Sequence, residues 1–151
     1  MDGDQFEEVM LSLGHAVFAA QLFEMNLATT LIALTIARGD RSKFPDEAAV
    51  RKWLDHVDRL PIGQLKGQIS SLGLLPERMV EEIGEINRRR VGVVHHFVNL
   101  WSDRLDDVEG QRQAVEHLEA ERTIFLIAAK RLQGGLEKLQ ETELPARQSP
   151  T

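Results

Sequence analysis

The chain has 151 residues, of which 42% are hydrophobic and 28% are charged, and its formal net charge is −6. This length suits one domain with a core of its own, and the composition is that of an ordinary globular protein. The negative charge excludes a protein that holds nucleic acid through bulk positive charge, so any polyanion must be met by a local basic cluster. Because the chain has no cysteine, disulfides, thiolate metal sites and a cysteine nucleophile are excluded.

The N-terminal part of the chain raises the question of a membrane span. The first residues are acidic and lack the positive segment of a signal peptide. Residues 16–36 are strongly apolar, but Gln21, Glu24 and Asn26 lie near their centre. A carboxylate in the middle of a bilayer costs about 2.5–3.5 kcal/mol. We therefore predict a core helix of a cytoplasmic protein that does not enter a membrane.

The first predicted helix runs from Phe6 to about Arg38 and is closed by Gly39. Its apolar residues form two stripes at helical spacing. The first stripe consists of Leu13, Val17, Ala20, Leu27, Leu31 and Leu34, and the second of Leu11, Phe18, Leu22, Met25, Ile32 and Ile36. A helix that packs on one side needs only one stripe. The second stripe predicts a partner, most simply a second copy of the chain.

Four more helices are predicted downstream. The second runs from Pro45 to about Arg59, and a short third one carries Ile62, Leu65, Ile69 and Leu72 on one face. A central helix begins near Glu77 and continues to Trp101, and a solvated connector separates it from a last helix over about 111–141. Gly134 and Gly135 predict a bend or fraying in the last helix, without ending it.

No stretch of the sequence alternates as a β-strand does. The predicted fold is therefore an all-α, single-domain bundle of about five helices, whose first, central and last helices make the core. Residues 1–144 form this helical domain, and residues 145–151 are predicted to be a disordered tail.

The central helix contains an unusual basic cluster between Ile86 and Trp101. Three arginines and two histidines fall between positions 88 and 96. Arg90 lies on the same stripe as the apolar residues Val80, Ile83, Val94, Phe97 and Trp101. A cation in an apolar stripe is costly unless a partner or ligand meets it. Glu24, on the first stripe of the first helix, is the predicted partner for the Arg90 guanidinium.

Several kinds of site are excluded by the pattern of residues. His95 and His96 are adjacent, so on a helix they point about 100° apart and do not chelate one ion together. The sequence has no His-Glu-x-x-His motif, no glycine-rich phosphate loop and no nucleophile-elbow motif. We therefore predict no metal ion and no cofactor.

Arginine beside histidine indicates a different chemistry. Arginine is a permanent bidentate clamp for phosphate oxygens, and histidine moves a proton near neutral pH. Together they suffice for RNA cleavage without a metal: the histidine transfers a proton to or from a reacting oxygen, and the cation stabilises the phosphorane.

An arginine followed after four to six residues by a histidine, on a late helix of a small all-α bundle, resembles the HEPN superfamily. Many of its members are RNases of toxin–antitoxin and defence systems. The resemblance covers most of the chain, and its motifs are Gln21-x-x-Glu24, residues 60–65 (Leu-Pro-Ile-Gly-Gln-Leu), and Arg90-x-x-x-x-His95 followed by His96-Phe97.

This resemblance implies a homodimeric endoribonuclease whose two motifs form one composite cleft at the dimer interface. It implies that Arg90 and His95 are catalytic, and we expect Glu24 to support the site. The expected RNA-binding residues are Asn87, Arg88, Arg89 and His96. RNA and a cognate antitoxin, or another protein, are the expected partners.

Alternatives remain at this point. Arg51 to His56 and Arg112 to His117 have the same spacing, although only Arg90 to His95 lies in an apolar helical frame. The motif could also be formed by Arg88 or Arg89 with His95, or by Arg90 with His96. Val91 follows Arg90, where the family often has a polar residue such as asparagine. A non-catalytic dimeric interaction module with a degenerate motif is therefore the second hypothesis.

Overall fold

The computed structural model describes residues 3–38, 45–58, 64, 67 and 75–148. These residues contain five helices and no strand. The helices are α1 (Gly3–Arg38), α2 (Glu47–Asp58), α3 (Glu77–Val94), α4 (Phe97–Trp101) and α5 (Val108–Gln148). The predicted all-α class is confirmed for the described residues.

Several helix bounds differ from the prediction. Helix α1 ends at Arg38 as predicted, but it begins three residues earlier than Phe6, at Gly3. Pro45 lies before α2 instead of in its first turn, because the Asp46 side chain caps this helix by accepting the Ala49 N–H at 2.8 Å. The predicted third helix lies mostly outside the described residues.

The central helix is broken where the sequence predicts one continuous helix, so that prediction is wrong. Helix α3 ends at Val94, His95 and His96 form a turn, and α4 begins at Phe97. The backbone N–H of His95 still donates to the Val91 carbonyl at 3.0 Å. The break has a local cause, since glycine, β-branched valine and histidine are weak helix formers and occupy all positions from 91 to 96.

The chain divides into two compact units, and the division passes through α1, α3 and α5. Unit 1 contains residues up to Phe23 and from Glu85 to Ala128. Its core is made by α1, α3, α4 and α5, as predicted for the first, central and last helices. The buried members are Val9, Ala16, Ala19, Ala20, Val93, Phe97, Ala114, Leu118 and Phe125.

Unit 2 contains Glu24–Gly84 and the residues from Ala129 onward. Among its described side chains, the buried apolar ones are Leu27, Leu31, Leu34, Ile83, Ala129 and Leu132. The Asn26 amide donates to the Ala129 carbonyl at 3.0 Å, which gives this buried part of α1 a directional contact with α5.

The two stripes of α1 differ in burial. Of the first stripe, Ala20, Leu27, Leu31 and Leu34 are buried. Of the second stripe, Leu11, Phe18 and Met25 are 60%, 67% and 59% exposed. The segment Gly3–Leu34 is long and apolar enough to cross a membrane, a property that the core helices of soluble proteins share.

The connector between α4 and α5 is mostly exposed, as predicted, but its backbone packs closely on the first turn of α5. The Asp107 side chain accepts the Gly110 N–H at 2.6 Å, and the Gln111 amide donates to the Leu105 carbonyl at 2.8 Å. These contacts cap α5 and start it at Val108 instead of Gln111. Further along, α5 continues through Gly134 and Gly135 and ends at Gln148, beyond the predicted end near Glu141.

Candidate functional site at the end of α3

Arg90 lies in the last two turns of α3 and is half-buried. Its Nε and Nη2 atoms both donate to Oδ1 of Asn87, each at 3.3 Å. Asn87 was predicted to bind RNA, and here it orients the guanidinium of Arg90. The contact is local, because residues three apart are neighbours on a helix surface.

Arg89 is held by two carboxylates. Its Nη1 donates to Oε1 of Glu121 at 2.8 Å, and its Nε lies 3.4 Å from Oε1 of Glu85. Glu121 is only 5% exposed. The charge of Arg89, predicted to bind RNA, is thus met by a buried carboxylate of α5.

Glu121 was missed by the sequence prediction. The signal for it was present, since Glu121 lies on the inward stripe of α5 between Leu118 and Phe125. A carboxylate is almost never fully buried without a partner. Glu121 therefore shows the same signal as Arg90 and Glu24, which is a charged residue on an apolar stripe.

Arg88 is the most exposed of the three arginines, with 70% of its side chain accessible, and it binds the Glu85 carboxylate. This hydrogen bond, together with the positive charge of Arg88, lowers the pKa of Glu85 below its ordinary value. Arg88 and His95 are seven residues apart, close to two helical turns, and His95 continues the α3 hydrogen-bonding pattern. Arg88 therefore lies on the same face as His95.

His95 and His96 form the turn between α3 and α4, and both are exposed. Their ring centroids are 6.4 Å apart and the ring planes are inclined by 62°. Within the described ranges, no group of three histidine or carboxylate side chains is arranged to hold a metal ion. The pair thus offers two separate, solvent-facing imidazoles that follow the three arginines near the end of α3.

The other two Arg-x-x-x-x-His matches have different surroundings. Arg112 is exposed and bound to Glu109 and Glu116, and the ring of His117 lies against Trp101 with 5.2 Å between centroids. Arg51 and His56 are both exposed on α2. Among these three matches, only the α3 match combines a half-buried arginine with an exposed histidine in the turn that follows its helix.

Glu24 is half-buried on α1. Its pairing with Arg90 stays a prediction.

Comparisons of the chain with models of known protein families, with characterised proteins and with solved structures found no match.

Proposed function

We propose that this chain is the subunit of a homodimeric endoribonuclease of HEPN type, which cleaves RNA without a metal ion in a cytoplasmic toxin–antitoxin or defence system. His95 is the proton-transfer group, and Arg90 is the cation that stabilises the reacting phosphate. Arg88 and His96 contact the RNA beside them. A cognate antitoxin or another protein partner would hold the enzyme inactive.

The observation that carries this proposal is the arrangement at the end of α3. Arg90 is half-buried and oriented by Asn87, whereas His95 is exposed in the turn that follows the helix. An oriented cation followed within about two helical turns by an exposed histidine supplies the two kinds of group that phosphoryl transfer without a metal requires. Arg88, exposed on the face of His95 and paired with Glu85, can exchange that carboxylate for a phosphate of the RNA backbone.

The reaction that fits these groups is an internal transfer at phosphorus. The ribose 2′-oxygen attacks the adjacent phosphorus while one histidine takes its proton. The bond between phosphorus and the 5′-oxygen breaks, and a second histidine returns a proton to that oxygen. The products are a 2′,3′-cyclic phosphate and a 5′-hydroxyl, and a dimer supplies the two histidines as His95 from each copy.

The second copy is favoured by the exposed stripe of α1. Leu11 and Phe18, both in unit 1, are 60% and 67% exposed. Monomers rarely expose contiguous apolar surface of more than a few hundred Å². A two-fold contact through this stripe would remove these side chains from water in both copies at once.

The decisive experiment is cleavage of single-stranded RNA in the presence of a chelator. We expect wild-type protein to cleave, and His95→Ala and Arg90→Ala to lower the rate by about a hundredfold or more, as for loss of a general acid–base group. Arg51→Ala and His56→Ala are matched controls, because they change an exposed pair with the same spacing. Cleavage that persists in His95→Ala, or that the chelator abolishes, would contradict the proposal.

A non-catalytic interaction module is the second candidate, and a specific observation favours it. Two large apolar side chains of the short helix α4, Val98 and Leu100, are 65% and 67% exposed. Such side chains are more typical of a protein-binding surface than of an RNA cleft. A stable dimer that leaves RNA intact under all conditions would favour the module over the nuclease.

A further inference from the structure

An ion pair with one buried partner joins α3 to α5 inside unit 1. Nη1 of Arg89 and Oε1 of Glu121 are 2.8 Å apart, and the Glu121 side chain is 7% exposed. Arg89 reaches the surface with 38% of its side chain accessible, where Glu85 also approaches it. Arg89 immediately precedes Arg90 and lies six residues before His95 in the sequence.

The Arg89–Glu121 pair leaves one buried hydrogen-bond acceptor unsatisfied, so its geometry does not maximise its contribution to stability. The second carboxylate oxygen of Glu121, Oε2, is buried and accepts no hydrogen bond from any described residue. Burial of a charge costs free energy that a single partner seldom recovers, and apolar residues of similar size often serve a core better. In some proteins such groups are retained because they fix one arrangement of the helices.

The other described core residues of α3 and α5 are apolar and do little to fix the rotation of one helix against the other. Leu118 and Phe125 of α5 are fully buried apolar side chains, and Val93 of α3 belongs to the same core. Apolar contacts are non-directional and tolerate small rotations and shifts of a helix. A hydrogen-bonded ion pair tolerates much less, because both distance and angle are constrained.

We propose that Arg89 and Glu121 are positioning residues, which set the rotation of α3 and thereby hold Arg90 and His95 in their working arrangement. The catalytic part of this inference rests on the proposed function. The positioning part concerns the end of α3 itself and is tested separately.

The test uses one double variant, one conservative variant and one control in the full chain. Arg89→Met with Glu121→Leu replaces the pair by apolar side chains, so that neither charge is left buried alone. Glu121→Gln keeps the shape and one acceptor, and it remains informative if the double variant fails to fold. Glu116→Gln is the matched control, because Glu116 also pairs with an arginine on α5 but is exposed.

We expect the double variant to keep the wild-type melting temperature and to lose RNA-cleaving kcat by about tenfold to a hundredfold, as small misplacements of reacting groups do. KM should stay within about twofold of the wild-type value, because Arg88 and His96 still bind the RNA. Glu121→Gln should lie between the double variant and the wild type, and Glu116→Gln should match the wild type. A stable double variant with wild-type kcat would show that the pair is only structural.

Hydrogen exchange gives a readout that needs no cleavage. The backbone N–H groups of His95 and Leu100 donate to Val91 and His96 and report on the turn after α3. In the double variant and in Glu121→Gln these amides should exchange about tenfold faster, while the amides of Leu118 and Phe125 keep their protection. Unchanged exchange at His95 and Leu100 overturns the inference even if wild-type protein cleaves no RNA. Failure of the proposed function is recognised instead by wild-type protein that does not cleave or that does not depend on His95.

Discussion

At the scale of the residue, three consecutive arginines with identical chemistry have three different environments. Arg88 is exposed, and Arg89 is bound to a buried carboxylate. Arg90 is half-buried and donates hydrogen bonds to Asn87. The cause is the helix itself, since each residue is rotated by about 100° from the one before it. We propose that Arg90 with His95 is the catalytic register because Asn87 orients the Arg90 guanidinium, and that Arg88, on the face of His95, contacts the RNA.

The Glu85 carboxylate permits a prediction on acid stability. Its pKa is lowered in the folded protein, first by the hydrogen bond from Arg88 and then by the charge of that guanidinium. A lowered pKa adds stability above the pKa of the unfolded chain, and this stability is lost as the pH falls through the folded value. Glu85→Gln should therefore be less stable than wild type near neutral pH, and the difference should shrink in acid.

Urea unfolding at several pH values measures this effect. Glu81→Gln is the control, since Glu81 is an exposed glutamate of the same helix. The expected change is small, because exposed ion pairs are screened by solvent. A difference between Glu85→Gln and wild type that is the same at acid and neutral pH would contradict the assignment.

At the scale of the element, the connector before α5 depends on one glycine. A Cβ atom added to Gly110 would lie 1.7 Å from the carbonyl oxygen of Arg104, which is far inside the contact distance. The Arg104 oxygen belongs to the backbone and the backbone of residue 110 fixes the position of its Cβ, so no side-chain rotation relieves the clash. This close approach is what lets the connector fold back on the first turn of α5.

Gly110→Ala should therefore destabilise the protein by about 1–3 kcal/mol or more, the usual cost of forcing atoms into a packed region. Gly135→Ala is the matched control on the same helix. A Cβ atom at Gly135 meets nothing within 4 Å, so alanine should stabilise α5 by about 0.5–1 kcal/mol. Chemical unfolding measures both variants, and equal effects of the two substitutions would show that Gly110 is not tightly packed.

At the scale of the whole molecule, the exposed stripe of α1 is the surface that we propose a second copy covers. The buried residues of the first stripe belong to the core of this chain, whereas Leu11 and Phe18 of the second stripe are exposed to solvent. A second copy that contacts this stripe would bring two sets of motif residues into one assembly, as the proposed composite site requires. Oligomeric state and catalysis are therefore linked in the proposal.

Phe18→Glu tests this link. Charge in the centre of an apolar contact should weaken the dimer by about thirtyfold or more, which corresponds to the loss of a major interface anchor. Ile127→Glu is the control, because Ile127 is 49% exposed and belongs to α5 instead of the α1 stripe. Sedimentation equilibrium at micromolar concentration measures the change, and a wild-type protein that is already monomeric there would contradict the dimer.

The sequence by itself determined the helical class, the three helices that make the main core, part of the buried residues, and the two-sided character of α1. Each of these depends on the 3.6-residue period of a helix, which places Ala20, Leu27 and Leu31 on one face whatever they later contact. The basic cluster at Arg88–Arg90 was visible for the same reason.

Only the tertiary structure decided which partner each charge has and where the connector closes. Glu121 lies 32 residues after Arg89, and no local period joins the two, so their contact depends on how α3 packs on α5. The same holds for Gly110, whose neighbour Arg104 approaches only after the connector has folded back. Local pattern predicts which face of a helix is buried, whereas the groups that meet across that face are chosen by packing of the whole chain.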